Sequence, residues 1–335
     1  MSTFTRILSI DGGGIRGIIP GQILIALEDK LKQHSRNQDA RLADYFDLIA
    51  GTSTGGILTC LYLCPDEEGT ISTKYSAAAA VDLYLKHGRD IFKSSIWQKL
   101  KSFAGLGDEK YDEKSLEALI RQFIGDLYLS DLIKPCLITA YDIEKRKTTF
   151  FTQHDAVLNS EKNFPLLHVA RSTSAAPTYF QVARATSATN AGYSLIDGGV
   201  FANNPALCAY AEVRTKFKHH PTAKDMLMLS LSTGHVRKEY KYRKAKNWGM
   251  VGWLRPLLDI LMAGVSETVD YQLRQIFASV NKPDQYLRIN EPLQHADSSM
   301  DNASAKNLAA LQQEGQEIAQ KYDAELTRFV EMLLA

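Results

Sequence analysis

Tyr45-Phe46-Asp47-Leu48-Ile49-Ala50-Gly51-Thr52-Ser53-Thr54-Gly55-Gly56-Ile57-Leu58-Thr59-Cys60-Leu61-Tyr62-Leu63 decides the fold. The apolar run from Tyr45 to Ala50 predicts a buried strand, and Ile57 to Leu63 predicts a helix. Between them Gly51-Thr52-Ser53-Thr54-Gly55 matches G-x-S-x-G in a strand–turn–helix context, the setting of a nucleophile elbow. The turn is so sharp that side chains two residues either side of the serine would collide, hence the glycines. The serine then projects from the sheet at the positive end of the following helix, where developing negative charge is favoured. The competing reading is a Gly/Ser-rich connecting loop, and further glycine motifs decide between the two.

Working outward, Arg6-Ile7-Leu8-Ser9-Ile10 reads as a second buried strand. It runs into Asp11-Gly12-Gly13-Gly14-Ile15-Arg16-Gly17 and then a helix from about Ile18 to His34. Strand, glycine loop, helix, strand and elbow form a βαβ pattern, which implies a parallel sheet with helices on its faces. Consecutive glycines let backbone N–H groups form an anion-binding nest. Gly12, Gly14 and Gly17 also satisfy the dinucleotide spacing G-x-G-x-x-G. The acidic residue that spacing expects about 20 residues on is not in place, since Asp29 and Asp39 lie in the wrong context. Beside Ser53, the nest suits the oxyanion of an acyl tetrahedral intermediate better. Arg16 either steadies that anion or forms a surface ion pair.

A third motif lies downstream. Tyr193 to Ile196 reads as a strand, ending in Asp197-Gly198-Gly199, with Asn203-Asn204-Pro205 before a helix from Ala206 to Phe217. An aspartate there is aimed out of the sheet edge and can accept a serine proton. Otherwise it is an Asp-Gly turn capping the next helix. Asn203 or Asn204 is expected to cap the helix at Ala206, freeing Asp197. Both a Ser53–Asp197 dyad and a Ser53–His235–Asp197 triad are open. Of the later histidines, only His235 follows a strand (Met226 to Leu231) at a site edge.

The rest of the chain frames these motifs. It has 335 residues, 45% hydrophobic and 23% charged, with net charge +1. No global pull toward nucleic acid or an acidic membrane follows. Cys60, Cys64, Cys136 and Cys208 are too scattered for a disulfide framework and are expected as buried thiols, with no metal site. Helices are expected over 77–85 and 115–124 around a polar loop near Gly105–Asp108. Strands are expected at 136–141, 148–151 and 286–289. Ser172 and Ser174 read as structural. The apolar stretch from Trp248 to Val265 is broken by Arg255, Pro256 and Asp259. It reads as core helix, with an interfacial surface as the alternative. Met1 to Arg6 leads straight into a strand, and a cytoplasmic, membrane-peripheral location is expected.

Asp11-Gly12-Gly13-Gly14-Ile15-Arg16-Gly17, Gly51-Thr52-Ser53-Thr54-Gly55 and Asp197-Gly198-Gly199, in this order, resemble the patatin-like phospholipase family. The likeness extends to Asn203-Asn204-Pro205, Leu229 to Gly234, Tyr286-Leu287-Arg288 and Met300-Asp301. The resemblance implies one domain over 1–335 with a helical segment from about 303. It implies a three-layer α/β/α fold with a mostly parallel central sheet, related to α/β-hydrolases. It implies a lipid acyl hydrolase with Ser53 as nucleophile, Asp197 as base and Gly12, Gly13 and Gly14 as oxyanion donors. Asp11, Arg16, Gly17, Gly51, Gly55, Gly198 and Gly199 support them, and no cofactor is implied. The partner is a membrane phospholipid or other acyl-ester lipid, met by transient membrane-surface contact, with no nucleic acid. Some bacterial members resembling this chain are gated by cyclic nucleotides in antiviral defence, so a cyclic-nucleotide activator is an expectation of the same kind. The rival class is a binding module that uses the glycine nest for a nucleotide.

Overall fold

The computed structural model describes residues 4–66, 71–91, 113–235 and 239–335; the polar loop expected near 105–108 lies outside them. β1 (Thr5–Ile10) leads into α1 (Ile18–Ser35), and β2 (Leu48–Thr52) into α2 (Thr54–Tyr62). α3 (Ala77–Ile91) and α4 (Glu113–Ile124) precede the hairpin β3 (Cys136–Asp142) and β4 (Lys147–Thr152). Then come α5 (Leu166–Thr173), β5 (Ala183–Thr186), β6 (Gly192–Asp197), a short α6 (Gly199–Ala202) and α7 (Ala206–Lys216). β7 (Met226–Leu231), α8 (Met250–Ser279), β8 (Tyr286–Ile289), α9 (Ala305–Lys321) and α10 (Asp323–Leu334) complete the order.

Among the described residues the sheet has eight strands, in the order β5-β6-β3-β2-β1-β7-β8, with β4 also on β3. The run β3-β2-β1-β7-β8 is parallel throughout. β4, β5 and β6 join antiparallel, so the sheet is mixed rather than simply parallel. The continuous apolar runs of β1, β2 and β7 suit strands covered on both faces. Leu8, Ile10, Ile49, Leu227 and Leu229 pack with α1 and α2. Ile7, Leu48, Ala50, Met226 and Met228 alternate to the opposite face, against Ala206 and Val213 of α7 and Leu273 and Phe277 of α8. This alternation produces the α/β/α layers.

Several boundaries differ from expectation. Strand β2 starts at Leu48, because Leu42–Tyr45 is a short helix and Asp47 accepts the Arg6 N–H at 2.8 Å and pairs with its guanidinium. The C-terminal helix breaks at Tyr322 into α9 and α10. Helix α8 runs through Pro256; a proline removes one N–H bond without forcing a stop. Its second half buries Val269, Leu273 and Phe277, but Trp253, Leu257, Ile260 and Leu261 in the first half are 42–50% exposed. The core reading of the stretch from Trp248 therefore fails for its outer face. No described helix is long and apolar enough to cross a membrane.

One buried ion pair ties the far strand to the first glycine loop. Arg288 of β8 donates from Nη1 to Asp11 Oδ1 at 2.8 Å and from Nη2 to Asp11 Oδ2 at 2.5 Å. Arg288 Nη1 also donates to Ser230 Oγ at 2.8 Å. Burial alone would depress the Arg288 pKa, but the Asp11 charge and hydrogen bonds raise it overall. Burial, set against the pull of Arg288, moves Asp11 upward. Breaking such a pair strands a charge in the interior. Arg288→Met is expected to cost about 3–5 kcal/mol in urea denaturation. The double variant Asp11→Leu/Arg288→Met is expected to recover much of that; a double variant as unstable as the single would refute the stranded-charge account.

Candidate active site

Ser53 sits between β2 and α2 with φ 55° and ψ −120°, backbone that a non-glycine residue occupies only under constraint. The flanking glycines allow the constraint. A Cβ on Gly51 would lie 2.2 Å from the Gly55 carbonyl oxygen, and one on Gly55 2.2 Å from that of Ile10. The Ser53 N–H donates to Thr173 Oγ1 at 2.8 Å, fixing the turn from the α5 side.

Strand pairing brings Asp197 to the serine. Thr139 of β3 pairs with Thr52 of β2, while the next residue, Ala140, pairs with Asp197 of β6. The opposite edge of β3 is occupied by β4 at both positions. So β6 takes up the edge where β2 leaves it, and the two strands meet end to end at Thr52 and Asp197. A Cβ on Gly198 would lie 2.0 Å from Thr139 Oγ1, so only glycine lets the chain turn away there. Thr52 Oγ1 is 2.7 Å from Thr139 Oγ1 and donates to the Ala202 carbonyl at 2.6 Å, locking α6 onto the elbow.

Asp197 is buried. Burial pushes its carboxyl up to about 6, against the lowering effect of hydrogen bonds from the Ser53 hydroxyl and the Gly199 N–H. The Gly199 bond is 2.7 Å long. Asp197 thus closes the Asp-Gly turn onto Gly199 and also faces the serine, and it does not cap the helix at Ala206. Pro205, not Asn203 or Asn204, holds the N-cap position of the next helix, though Asn204 Oδ1 accepts from the Ala206 N–H at 3.0 Å.

The first glycine loop closes over the elbow. A Cβ on Gly12 would lie 3.2 Å from Ser53 Cβ, and one on Gly17 2.2 Å from Thr54 Oγ1. Thr233 Oγ1 donates to the Gly12 carbonyl at 2.9 Å, and the Ile15 N–H donates to the Met300 carbonyl at 2.8 Å. The Gly12 N–H donates to the Asn203 carbonyl at 3.0 Å, so it is already engaged and is not a free oxyanion donor. The Gly13 and Gly14 N–H groups make no such bond among the described residues. Arg16 is half-buried and makes no ion pair among the described residues. Its Nε and Nη1 each lie 3.4 Å from a carbonyl, of Gly13 and Gly234 respectively. Burial lowers its pKa, and Asp259 and Tyr179 oppose that.

His235 is exposed, its N–H donates to the Glu291 carbonyl, and its side chain faces the Glu291 charge. No histidine is among the groups acting on Asp197. Ser172 and Ser174 bond back to the carbonyls of His168 and Ala170. Two contributors escaped the sequence reading. Thr173 lies between Ser172 and Ser174, which read as structural, and carries no motif of its own. Asn203 was read as a cap, yet its Oδ1 is a buried acceptor without a partner among the described residues. That oxygen would lie 2.6 Å from a Cβ on Gly12 and 3.4 Å from one on Gly199. No group of three His, Cys, Asp or Glu suited to a metal ion occurs among the described residues.

The model of the patatin-like phospholipase family matches residues 8–210, which span all three glycine motifs. The chain belongs to the patatin-like phospholipase family. Patatin-like protein 3 of Arabidopsis thaliana is 37% identical, over 94% of this chain and 80% of that protein. Patatin-like protein 1 of Oryza sativa subsp. indica is 36% identical, over 97% and 84%. Patatin group J-1 of Solanum tuberosum is 35% identical, over 99% and 90%. Membership makes the chain a lipid acyl hydrolase, and the patatin domain accounts for the mixed sheet between helical layers.

Two stability outcomes follow from this geometry. Ser53→Gly is expected to be more stable than Ser53→Ala by about 1–2 kcal/mol, because only glycine is relaxed at this φ. Equal stability in chemical denaturation would contradict the strain. The Asp197 pKa is raised on folding, so ionising it costs stability as pH rises from about 4 through about 6. Asp197→Asn is therefore expected to stabilise the fold by up to about 3 kcal/mol at pH 8, with the gain vanishing below pH about 4. A gain independent of pH would refute the raised pKa.

Proposed function

We propose that the chain, acting as one patatin-like domain over 1–335, hydrolyses fatty acyl esters of phospholipids or galactolipids through a Ser53–Asp197 dyad. The observation that carries this is the meeting of β2 and β6 on one edge of β3. It sets a strained serine beside a buried carboxyl whose pKa is near neutral. Ser53 Oγ attacks the ester carbonyl while Asp197 takes its proton. The tetrahedral oxyanion is held by the Gly13 and Gly14 N–H groups, with the α2 dipole behind Ser53 adding to the field. Collapse expels the alcohol, which takes the proton from Asp197 and leaves acyl-Ser53. Asp197 then activates water to release the fatty acid.

A carboxylate of ordinary pKa is a poor base for an alcohol. Desolvation makes Asp197 a better one and leaves it ionised just above pH 6, where the reaction needs it. The exposed His235 supports no triad. The nucleotide-nest reading loses support because the loop packs directly on Ser53 and spends its Gly12 N–H inside the protein. No feature of the described residues favours a cyclic-nucleotide activator.

The test is hydrolysis of phospholipid and galactolipid in mixed micelles. Ser53→Ala and Asp197→Asn are each expected to lower turnover by about 100- to 10,000-fold, with folding intact. The wild-type rate should climb with pH through about 6 and be unaffected by a chelator. A folded Asp197→Asn variant of undiminished turnover would sink the dyad.

A further inference from the structure

The first half of α8 and the segment leading into it form a surface of unusual composition. The whole chain is nearly balanced, with 39 basic and 38 acidic residues. Residues 239–261 alone carry five Lys or Arg against two Asp or Glu. One of those two acids, Asp259, accepts from the Tyr240 hydroxyl at 2.8 Å. The Tyr240 and Trp248 rings meet edge to face at 5.2 Å, and Trp248 and Trp253 at 5.0 Å. This aromatic stack folds residues 240–248 back against α8. Lys241, Arg243 and Lys246 are exposed there, as is Tyr242.

Beside those cations α8 turns an apolar face to solvent. Trp253, Leu257 and Ile260 recur at helical spacing, and Leu261 adjoins them. The opposite face, Met262, Ser266, Val269 and Leu273, looks inward. Met262 Cε lies 3.6 Å from where a Cβ on Gly199 would be, and Ser266 Oγ is 3.5 Å from Asn203 Nδ2. Asp259 acts electrostatically on Arg16 of the glycine loop. One helix therefore has its inner side on the catalytic motifs and its outer side in solvent.

We propose that residues 240–261 are the docking surface by which the enzyme seats itself on an anionic lipid bilayer, beside the mouth of its active site. Exposed aliphatic residues, interfacial aromatics and lysine or arginine at one edge are what an anionic interface binds. A nucleic acid would use the cations but has no use for Leu257, Ile260 and Leu261. The proposal deepens the lipid hydrolase reading and rests on it. It adds that lipid charge, through docking rather than chemistry, governs which membranes are attacked.

The test uses the full chain and vesicles of dialkyl phosphatidylcholine, which it cannot hydrolyse, with or without about one third dialkyl phosphatidylglycerol. Co-flotation is expected with the anionic vesicles and to be weak with the neutral ones. Lys241→Gln/Arg243→Gln/Lys246→Gln is expected to lower partitioning by about 100-fold, at about 1 kcal/mol per cation. Leu257→Ser/Ile260→Ser/Leu261→Ser is expected to lower it on both vesicle types. Both variants should hydrolyse a soluble short-chain ester at the wild-type rate, which separates docking from chemistry and verifies folding. Equal partitioning of wild type and both variants would overturn the proposal. So would a mass of two chains in solution that only the aliphatic variant reduces to one, since a second copy then owns the face. Anion-selective binding to DNA without vesicle binding would overturn it too. Loss of ester hydrolysis in wild type would refute the hydrolase reading instead, leaving vesicle binding to be read separately.

Discussion

Adjacent residues of β3 pair with two different strands on the same edge, and the active site depends on that handover. Thr139 holds the end of β2 and Ala140 the end of β6. A parallel strand and an antiparallel strand arriving from opposite directions must stop where they meet. Their last residues then leave the sheet together, one into the Ser53 turn and the other into Asp197-Gly198-Gly199. Ligands of open α/β sheets collect outside the carboxyl ends of the parallel strands. Asp197 reaches that edge because β6 comes down to it from the far side.

Holding the meeting point takes several ties of different kinds. Thr52, Thr139 and the Ala202 carbonyl form a hydrogen-bonded knot beneath it. Asn203 carries this segment across to Gly12, while Thr233 and Met300 brace the glycine loop from the other side. The Asp11–Arg288 pair joins the start of that loop to β8. Strain at Ser53 and desolvation at Asp197 are both unfavourable for the resting fold and, in the proposed mechanism, both useful to the reaction. They persist because the surrounding hydrogen bonds and glycine contacts leave neither group elsewhere to go.

Much of this was legible in the sequence, for a physical reason. A Cβ would collide with a neighbouring segment at Gly12, Gly51, Gly55 and Gly198, so these glycines mark the site before any fold is known. The buried strands announced themselves as continuous apolar runs. The antiparallel entry of β6 was not legible, since Gly192–Asp197 looks the same whichever way its neighbour runs. β5, Ala-Arg-Ala-Thr, is too short and too polar on its outer face to signal a strand. Thr173 and Arg288 act on Ser53 and Asp11, 120 and 277 residues away in the chain, and no local pattern encodes such a contact. The glycine run suggested three donors, but the Asn203 carbonyl that occupies Gly12 is visible only in the fold. The apolar start of α8 misled in the opposite direction. Its composition fits a core, and only its position at the rim exposes it.

Activation of Ser53 by Asp197 is read most directly by the rate of covalent labelling with a fluorophosphonate ester, followed by intact mass across pH. One adduct is expected on wild type, formed faster as pH rises through about 6. The adduct should be absent in Ser53→Ala and slow at every pH in Asp197→Asn. An adduct that survives Ser53→Ala, or a folded Asp197→Asn variant labelled at the wild-type rate, would contradict it.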